Sequence, residues 1–139
     1  MTIDLLTVPA ARRAAILEFA PELVPLRKKK VGLCSGGEQQ ILCLSRALAA
    51  KPKLLIADEI SLGLAPRIVK RNLGEIRRAA DAGAGALIVE QHAKQALSIA
   101  DRAYVLDHGR VTISGTAAEL LERLDDIEAA YLGVPAESV

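Results

Sequence analysis

Tryptophan is absent, and aromatic residues make up 2% of the 139 residues, as two Tyr and one Phe. That leaves almost no platforms for stacked bases, which excludes single-strand binding by stacking. An excess of charge of one sign is also missing. Lys and Arg number 18 and Asp and Glu 17, for a net charge of +1, so a nucleic-acid binder working through bulk charge is excluded as well. Cysteine occurs twice, as Cys34 and Cys43, too few for a disulfide scaffold or a structural zinc site. Both are expected to be small buried apolar residues of a reducing compartment. No apolar run approaches the ~18 residues of a transmembrane helix. Met1 to Ala10 carries Asp4 and no basic stretch, which is not the pattern of a signal peptide. What is present is a globular composition, 51% hydrophobic and 25% charged, with room for one domain over 1–139. The expectation is a soluble cytoplasmic protein.

Along the chain, residues 1–30 read as helical. Ala10 to Phe19 favours helix, Pro21 opens a second short segment, and Leu26-Arg-Lys-Lys-Lys30 is a basic run, read either as a solvated helix end or as a phosphate contact. A helix is expected from Gly36 to Ala50, stopped at Lys51-Pro52 because the residue before proline avoids the helical region. Leu54 to Ala57 is a continuous apolar run and is expected as a strand buried on both faces. A helix follows from Pro66 to Ala80, with proline in its first turn. Ala86 to Val89 is expected as a second buried strand and His92 to Ala100 as a third helix. Tyr104 to Leu106 and Val111 to Ser114 form a hairpin around Asp107-His-Gly-Arg110. Thr116 to Arg123 opens with a capping box, and a last helix is expected over about Asp125 to Leu132. Helices alternating with apolar strands predict an α/β fold with a largely parallel sheet flanked by helices, ending in a β-hairpin and short helices.

Two stretches carry chemistry. In Cys34-Ser-Gly-Gly-Glu-Gln39, Ser35 is placed as an N-cap and Glu38 completes the capping box. Two glycines in a first turn cost about 1 kcal/mol each relative to alanine. Gly36 and Gly37 therefore either let another element pack closely or leave N–H groups open to an anion at the helix N-terminus. In Leu54-Leu-Ile-Ala-Asp-Glu59, the carboxylates close a buried strand, where open α/β sheets bind ligands. Asp58 is placed to hold Mg²⁺ and Glu59 to orient and deprotonate a water. The plainer reading is that strands commonly end in acidic turn residues.

Taken together, Ser35-Gly-Gly-Glu-Gln-Gln40, Ser45-Arg-Ala-Leu48, Leu54-Leu-Ile-Ala-Asp-Glu59 and Ser61-Leu-Gly-Leu-Ala-Pro66 resemble the C-terminal half of an ABC transporter ATPase, over about Val31 to Leu132. Val89-Glu-Gln91 and Ala130-Tyr-Leu-Gly133 add a likeness to the ATPases of branched-chain amino acid importers. The resemblance implies a P-loop NTPase-like fold in one incomplete domain. Its parts would be a helical remnant at 1–30, the signature helix, Walker B strand and D-loop at 31–65, the switch strand and hairpin at 66–115, and C-terminal helices at 116–139. It implies ATP and Mg²⁺ as ligands, with nucleotide contacts from Ser35, Gly36, Gly37, Glu38 and Gln39. Metal binding would fall to Asp58, catalysis to Glu59 and Gln91, and the D-loop to Ser61, Leu62 and Gly63. The implied partners are a second ABC ATPase subunit, membrane permease subunits and, through them, a solute-binding protein, on the inner face of the membrane and without nucleic acid.

Four departures from the family pattern stand out. Cys34 replaces leucine, and Ile60 replaces a proline that would stiffen entry to the D-loop. Gln91 occupies the switch-histidine position with His92 next to it. A glutamine donates to a γ-phosphate but does not carry a proton as imidazole does. The fourth is the P-loop, Gly-x-x-x-x-Gly-Lys-[Ser/Thr]: no lysine in the chain is followed by Ser or Thr. The expectation is half of an ATPase, either an incomplete importer subunit, a non-catalytic partner lending its signature motif, or a truncated product without function.

Overall fold

The structure is a computed structural model that describes residues 8–125 and 127. Pro9 opens the first helix, α1 (Ala10–Phe19), and Pro21 starts a single 3₁₀ turn over Pro21–Leu23. A second 3₁₀ turn, Val31–Leu33, leads into α2 (Gly36–Ala49). Then follow β1 (Leu54–Asp58), α3 (Pro66–Asp81), β2 (Gly85–Val89), α4 (Ala93–Leu97), β3 (Arg102–Asp107), β4 (Arg110–Thr116) and α5 (Ala117–Glu122). The α/β class and the helix–strand alternation agree with the sequence pattern. Contacts divide the chain after Ile88 into two compact units.

In the first unit, Ile16 of α1 and Ile41 and Leu42 of α2 meet in one apolar cluster with Val8, Ala20 and Leu23. These positions follow from helical spacing, which puts Ile41, Leu42, Ser45 and Leu48 on one stripe of α2. Cys43 falls outside that stripe and is exposed, and Cys34 is only half-buried. The expectation that both cysteines are core residues is thereby corrected. The helix ends as Pro52 requires, although Lys51 takes a left-handed φ of 49° rather than an extended one. α3 buries Val69, Leu73 and Ile76, one apolar stripe, behind a proline at its start. Arg71 ties it back to the end of α1, donating from Nη2 to the Phe19 carbonyl at 2.6 Å and pairing with Glu22.

β1 and β2 are hydrogen-bonded neighbours joined through α3, a parallel βαβ pair. The Gly85 N–H donates to the Lys53 carbonyl at 2.8 Å. The space there is tight, since a Cβ on Gly85 would lie 3.2 Å from Leu54 Cδ1 and 3.4 Å from the Lys53 oxygen, so a larger residue would require Leu54 to shift. The strands are not buried on both faces as expected. Leu55 and Ala57 are buried, while Leu54 and Ile56 are 57% and 65% exposed. In β2, Leu87 and Val89 are more than half exposed. The apolar runs are those of strands with two covered faces; the described residues bury one face of β1 and leave only Ile88 of β2 half-buried.

The second unit is built on the β3–β4 hairpin, antiparallel with Tyr104 opposite Ser114 and Val105 opposite Ile113. His108 and Gly109 both have positive φ, 46° and 76°, the type I′ turn that suits strand twist. Val105 and Ile113 pack with Ala103 on Leu97, Ala117 and Leu120. Thr116 caps α5, accepting from the Glu119 N–H at 3.3 Å while Glu119 Oε2 accepts from the Thr116 N–H at 2.8 Å. α4 is shorter than the helix expected over His92 to Ala100; past its end Ser98 donates its hydroxyl to the Gln95 carbonyl at 2.6 Å. The helix expected over about Asp125 to Leu132 lies, apart from residues 125 and 127, outside the described residues.

The buried stripe of α3 includes an amide. Asn72 is 1% exposed, and its Nδ2 makes no hydrogen bond among the described residues. An unmet buried amide costs about 1–3 kcal/mol. Asn72→Leu, which fits a similar volume to the apolar stripe of α3, is expected to raise stability by about 1–2 kcal/mol in urea unfolding. A loss of stability would show that the amide is in fact held.

Candidate functional site

The N-terminus of α2 is fixed by two reciprocal hydrogen bonds. Ser35 Oγ accepts from the Glu38 N–H at 3.3 Å, and Glu38 Oε2 accepts from the Ser35 N–H at 2.7 Å. The Gln39 N–H donates to the Ser35 carbonyl at 2.9 Å, and its side-chain Nε2 donates to the Cys34 carbonyl at 3.0 Å. Of the first four helical N–H groups, those of Glu38 and Gln39 are thus engaged. Helix geometry leaves the N–H groups of Ser35, Gly36, Gly37 and Glu38 without an intrahelical backbone acceptor; the capping bonds take those of Ser35 and Glu38 and leave those of Gly36 and Gly37.

The two glycines are not explained by crowding within the chain. A Cβ on Gly36 would meet nothing within 4 Å, and one on Gly37 would meet only Leu64 Cδ2, at an ordinary 3.7 Å. Of the two explanations offered by sequence, close packing is therefore not what keeps Gly36 bare. Leu64, in the turn after β1, therefore lies near the start of α2, a proximity the sequence did not reveal.

That turn carries the expected acidic pair and the following motif. Asp58 closes β1 and is exposed; Glu59 is exposed and left-handed, with φ of 47°, a rare conformation for a residue with a side chain. Leu62 N–H donates to the Glu59 carbonyl and Leu64 N–H to the Ser61 carbonyl, each at 3.2 Å. Gly63 supplies the second left-handed residue, φ 70°, and Leu62 is 68% exposed at the tip. Gln91 lies two residues beyond β2, in the second unit, exposed in a bend. His92 is exposed beside it as the N-cap of α4, without a side-chain cap bond.

Lys29 is the member of the site that sequence reasoning did not single out. The basic run around it forms turns rather than a helix end, and Lys29 Nζ lies 3.3 Å from Glu38 Oε2. A lysine shortly before a Ser-x-x-Glu cap is the signal that could have found it.

Residues 9–61 match the ABC transporter family model. The chain is 47% identical over 118 residues to the high-affinity branched-chain amino acid transport ATP-binding protein BraG of Pseudomonas aeruginosa, a match covering 85% of this chain and 50% of that protein. It is 39% identical over 121 residues to the probable branched-chain amino acid transport ATP-binding protein LivF of Archaeoglobus fulgidus, covering 86% and 51%. Among solved structures it is similar to MJ1267, an ATP-binding cassette of an ABC transporter. That match has a TM-score of 0.75 and 26% identity, over 91% of this chain and 52% of that one. The fold is that of ABC ATP-binding cassettes, and residues 9–61 carry ABC transporter family sequence. The chain spans about half the length of the relatives it matches.

The cap is sensitive to acid. The Ser35 N–H held on its carboxylate, helped by Lys29, keeps Glu38 below its ordinary value of 4.5. The Thr116 N–H does the same for Glu119. A carboxyl whose folded pKa is depressed stabilises the fold above its unfolded pKa and loses that contribution as pH falls through the folded value. Stability should therefore hold down to about pH 4.5 and decline below it. The double variant Glu38→Gln, Glu119→Gln should flatten that decline in thermal melts taken at steps of pH. Parallel curves for variant and parent would show that neither cap contributes.

Proposed function

We propose that this chain, with its cassette fold and its ABC transporter sequence, is the signature and Walker B portion of the ATP-binding subunit of an importer, and that the solute is a branched-chain amino acid. The observation that carries the reading is the bare end of α2, where two glycine N–H groups lie at a capped helix N-terminus with no packing reason to be glycine. Such an end takes an anion, and the helix dipole adds to the attraction. The likeness to BraG and LivF supports the choice of solute class.

In this reading Ser35 and the amides of Gly36 and Gly37 contact the γ-phosphate of an ATP held on a second ABC ATPase subunit, while Glu38 and Gln39 hold the loop in shape. At a different ATP, one that would be held on a P-loop of its own subunit, Glu59 takes the proton from a water whose oxygen attacks the γ-phosphorus as the bond to the β-phosphate oxygen breaks. Gln91 donates a hydrogen bond to the γ-phosphate, and Ser61, Leu62 and Gly63 form the D-loop toward the partner. Asp58 would hold Mg²⁺. The exposed pair at the end of β1 suits an ion that takes one or two carboxylates and completes its shell with phosphate and water. When bound, the ion neutralises charge on the phosphates. Permease subunits and a solute-binding protein would be the further partners, with the chain lying against the inner face of the membrane. No helix among the described residues is long and apolar enough to cross it.

A second reading is compatible with the residues present. These 139 residues include no lysine followed by Ser or Thr, hence no P-loop. The chain then acts as a non-catalytic partner, completing one site with the P-loop of another subunit.

The two readings separate in an assay of phosphate release by a complete homologous ATPase mixed with this chain. The chain alone is expected to release no phosphate from ATP. Gly37→Asp sets a carboxylate against the phosphate and should lower stimulation of the partner by about a hundredfold, the scale seen when one transition-state contact is lost. If the chain only lends its signature motif, Glu59→Gln leaves stimulation within about twofold, since the acidic pair then serves no bound nucleotide. Equal losses from both variants would show that the chain uses its own acidic pair, as an enzyme subunit. No stimulation by the parent chain would overturn both readings.

A further inference from the structure

The cap of α2 contains a contradiction if its N-terminus is to meet a phosphate. Glu38 is held ionised at the third helical position, and it belongs to the same turn as the two open glycine amides. A carboxylate there repels the anion that the amides attract. Lys29 answers this. Its Nζ lies 3.3 Å from Glu38 Oε2, the same oxygen that accepts the Ser35 N–H at 2.7 Å. Lys29 reaches the cap from a turn outside the helix, and both side chains are partly covered, at 38% and 29% exposure.

We propose that Lys29 is a positioning residue for the signature loop: paired with Glu38, it neutralises the capping carboxylate so that Gly36 and Gly37 present a net attractive end to phosphate. The inference rests on the phosphate reading of this helix end given above. It assigns Lys29 no contact with the nucleotide. It also gives one member of the basic run a defined task, while Arg27, Lys28 and Lys30 stay exposed. A pair this exposed adds little to folding stability. Its effect is on charge at the helix end, and salt screens that effect.

The test is a double-mutant cycle in the same phosphate-release assay with a complete ATPase. Lys29→Ala is expected to lower stimulation roughly two- to fivefold at low salt, with the deficit closing as salt is raised and the thermal melt unchanged. Lys29→Arg should retain stimulation. Glu38→Gln keeps an acceptor for the Ser35 N–H but removes the charge, so Lys29→Ala in that background should have no further effect. A Lys29→Ala deficit of equal size in the parent and in the Glu38→Gln background would place the ammonium on the phosphate itself and overturn the proposal. So would a deficit independent of salt, or no deficit at all. If the parent chain gives no stimulation, the phosphate reading fails and this inference falls with it. A stimulating parent with an indifferent Lys29→Ala fails this inference alone.

Discussion

The reciprocal pair of hydrogen bonds between Ser35 and Glu38 is the constraint on which the proposed chemistry depends. It fixes where α2 begins, and so which backbone N–H groups are used inside the helix and which are left over. One residue earlier or later, the leftover groups would include one from a residue with a side chain. As built, they belong to Gly36 and Gly37; a Cβ added to Gly37 would lie 3.7 Å from Leu64 Cδ2, and one on Gly36 would meet nothing within 4 Å. Nucleotide chemistry, if it takes place here, borrows its geometry from a local folding signal.

Local rules were readable in the chain because both partners lie within a few residues. The Ser-x-x-Glu and Thr-x-x-Glu caps, the proline at the start of α3 and the His108-Gly109 turn each formed where the sequence put them. What was not readable depends on tertiary surroundings. The Lys29–Glu38 pair spans nine residues and has no periodic mark. Cys43 looked like a core residue by type, yet the phase of α2 turns it outward. The runs Leu54–Ala57 and Ala86–Val89 foretold strands covered twice, and composition has no means of saying what would do the covering. In the site itself, residue types pointed to acid, amide and glycine roles, while the left-handed backbone at Glu59 and the proximity of Leu64 emerged only in three dimensions.

The open side of the β1–β2 pair has a physical cost. Leu54, Ile56, Leu87 and Val89 together present an apolar surface of the kind that soluble proteins normally keep small. A sheet of two strands also has unsatisfied edges. Strands of this composition are more at home in a wider sheet.

The tie between Arg71 and the Phe19 carbonyl links residues 52 apart in sequence, whereas the β3–β4 hairpin closes around a two-residue turn. Loop closure becomes slower and entropically more demanding as the enclosed chain lengthens. The hairpin can therefore zip on the microsecond scale of isolated hairpins. Docking of α3 onto the end of α1 must wait until α2, β1 and the intervening turns have brought Arg71 home. Phe19 is made 52 residues before Arg71, so this tie to the end of α1 forms only after α2 and β1 have been made.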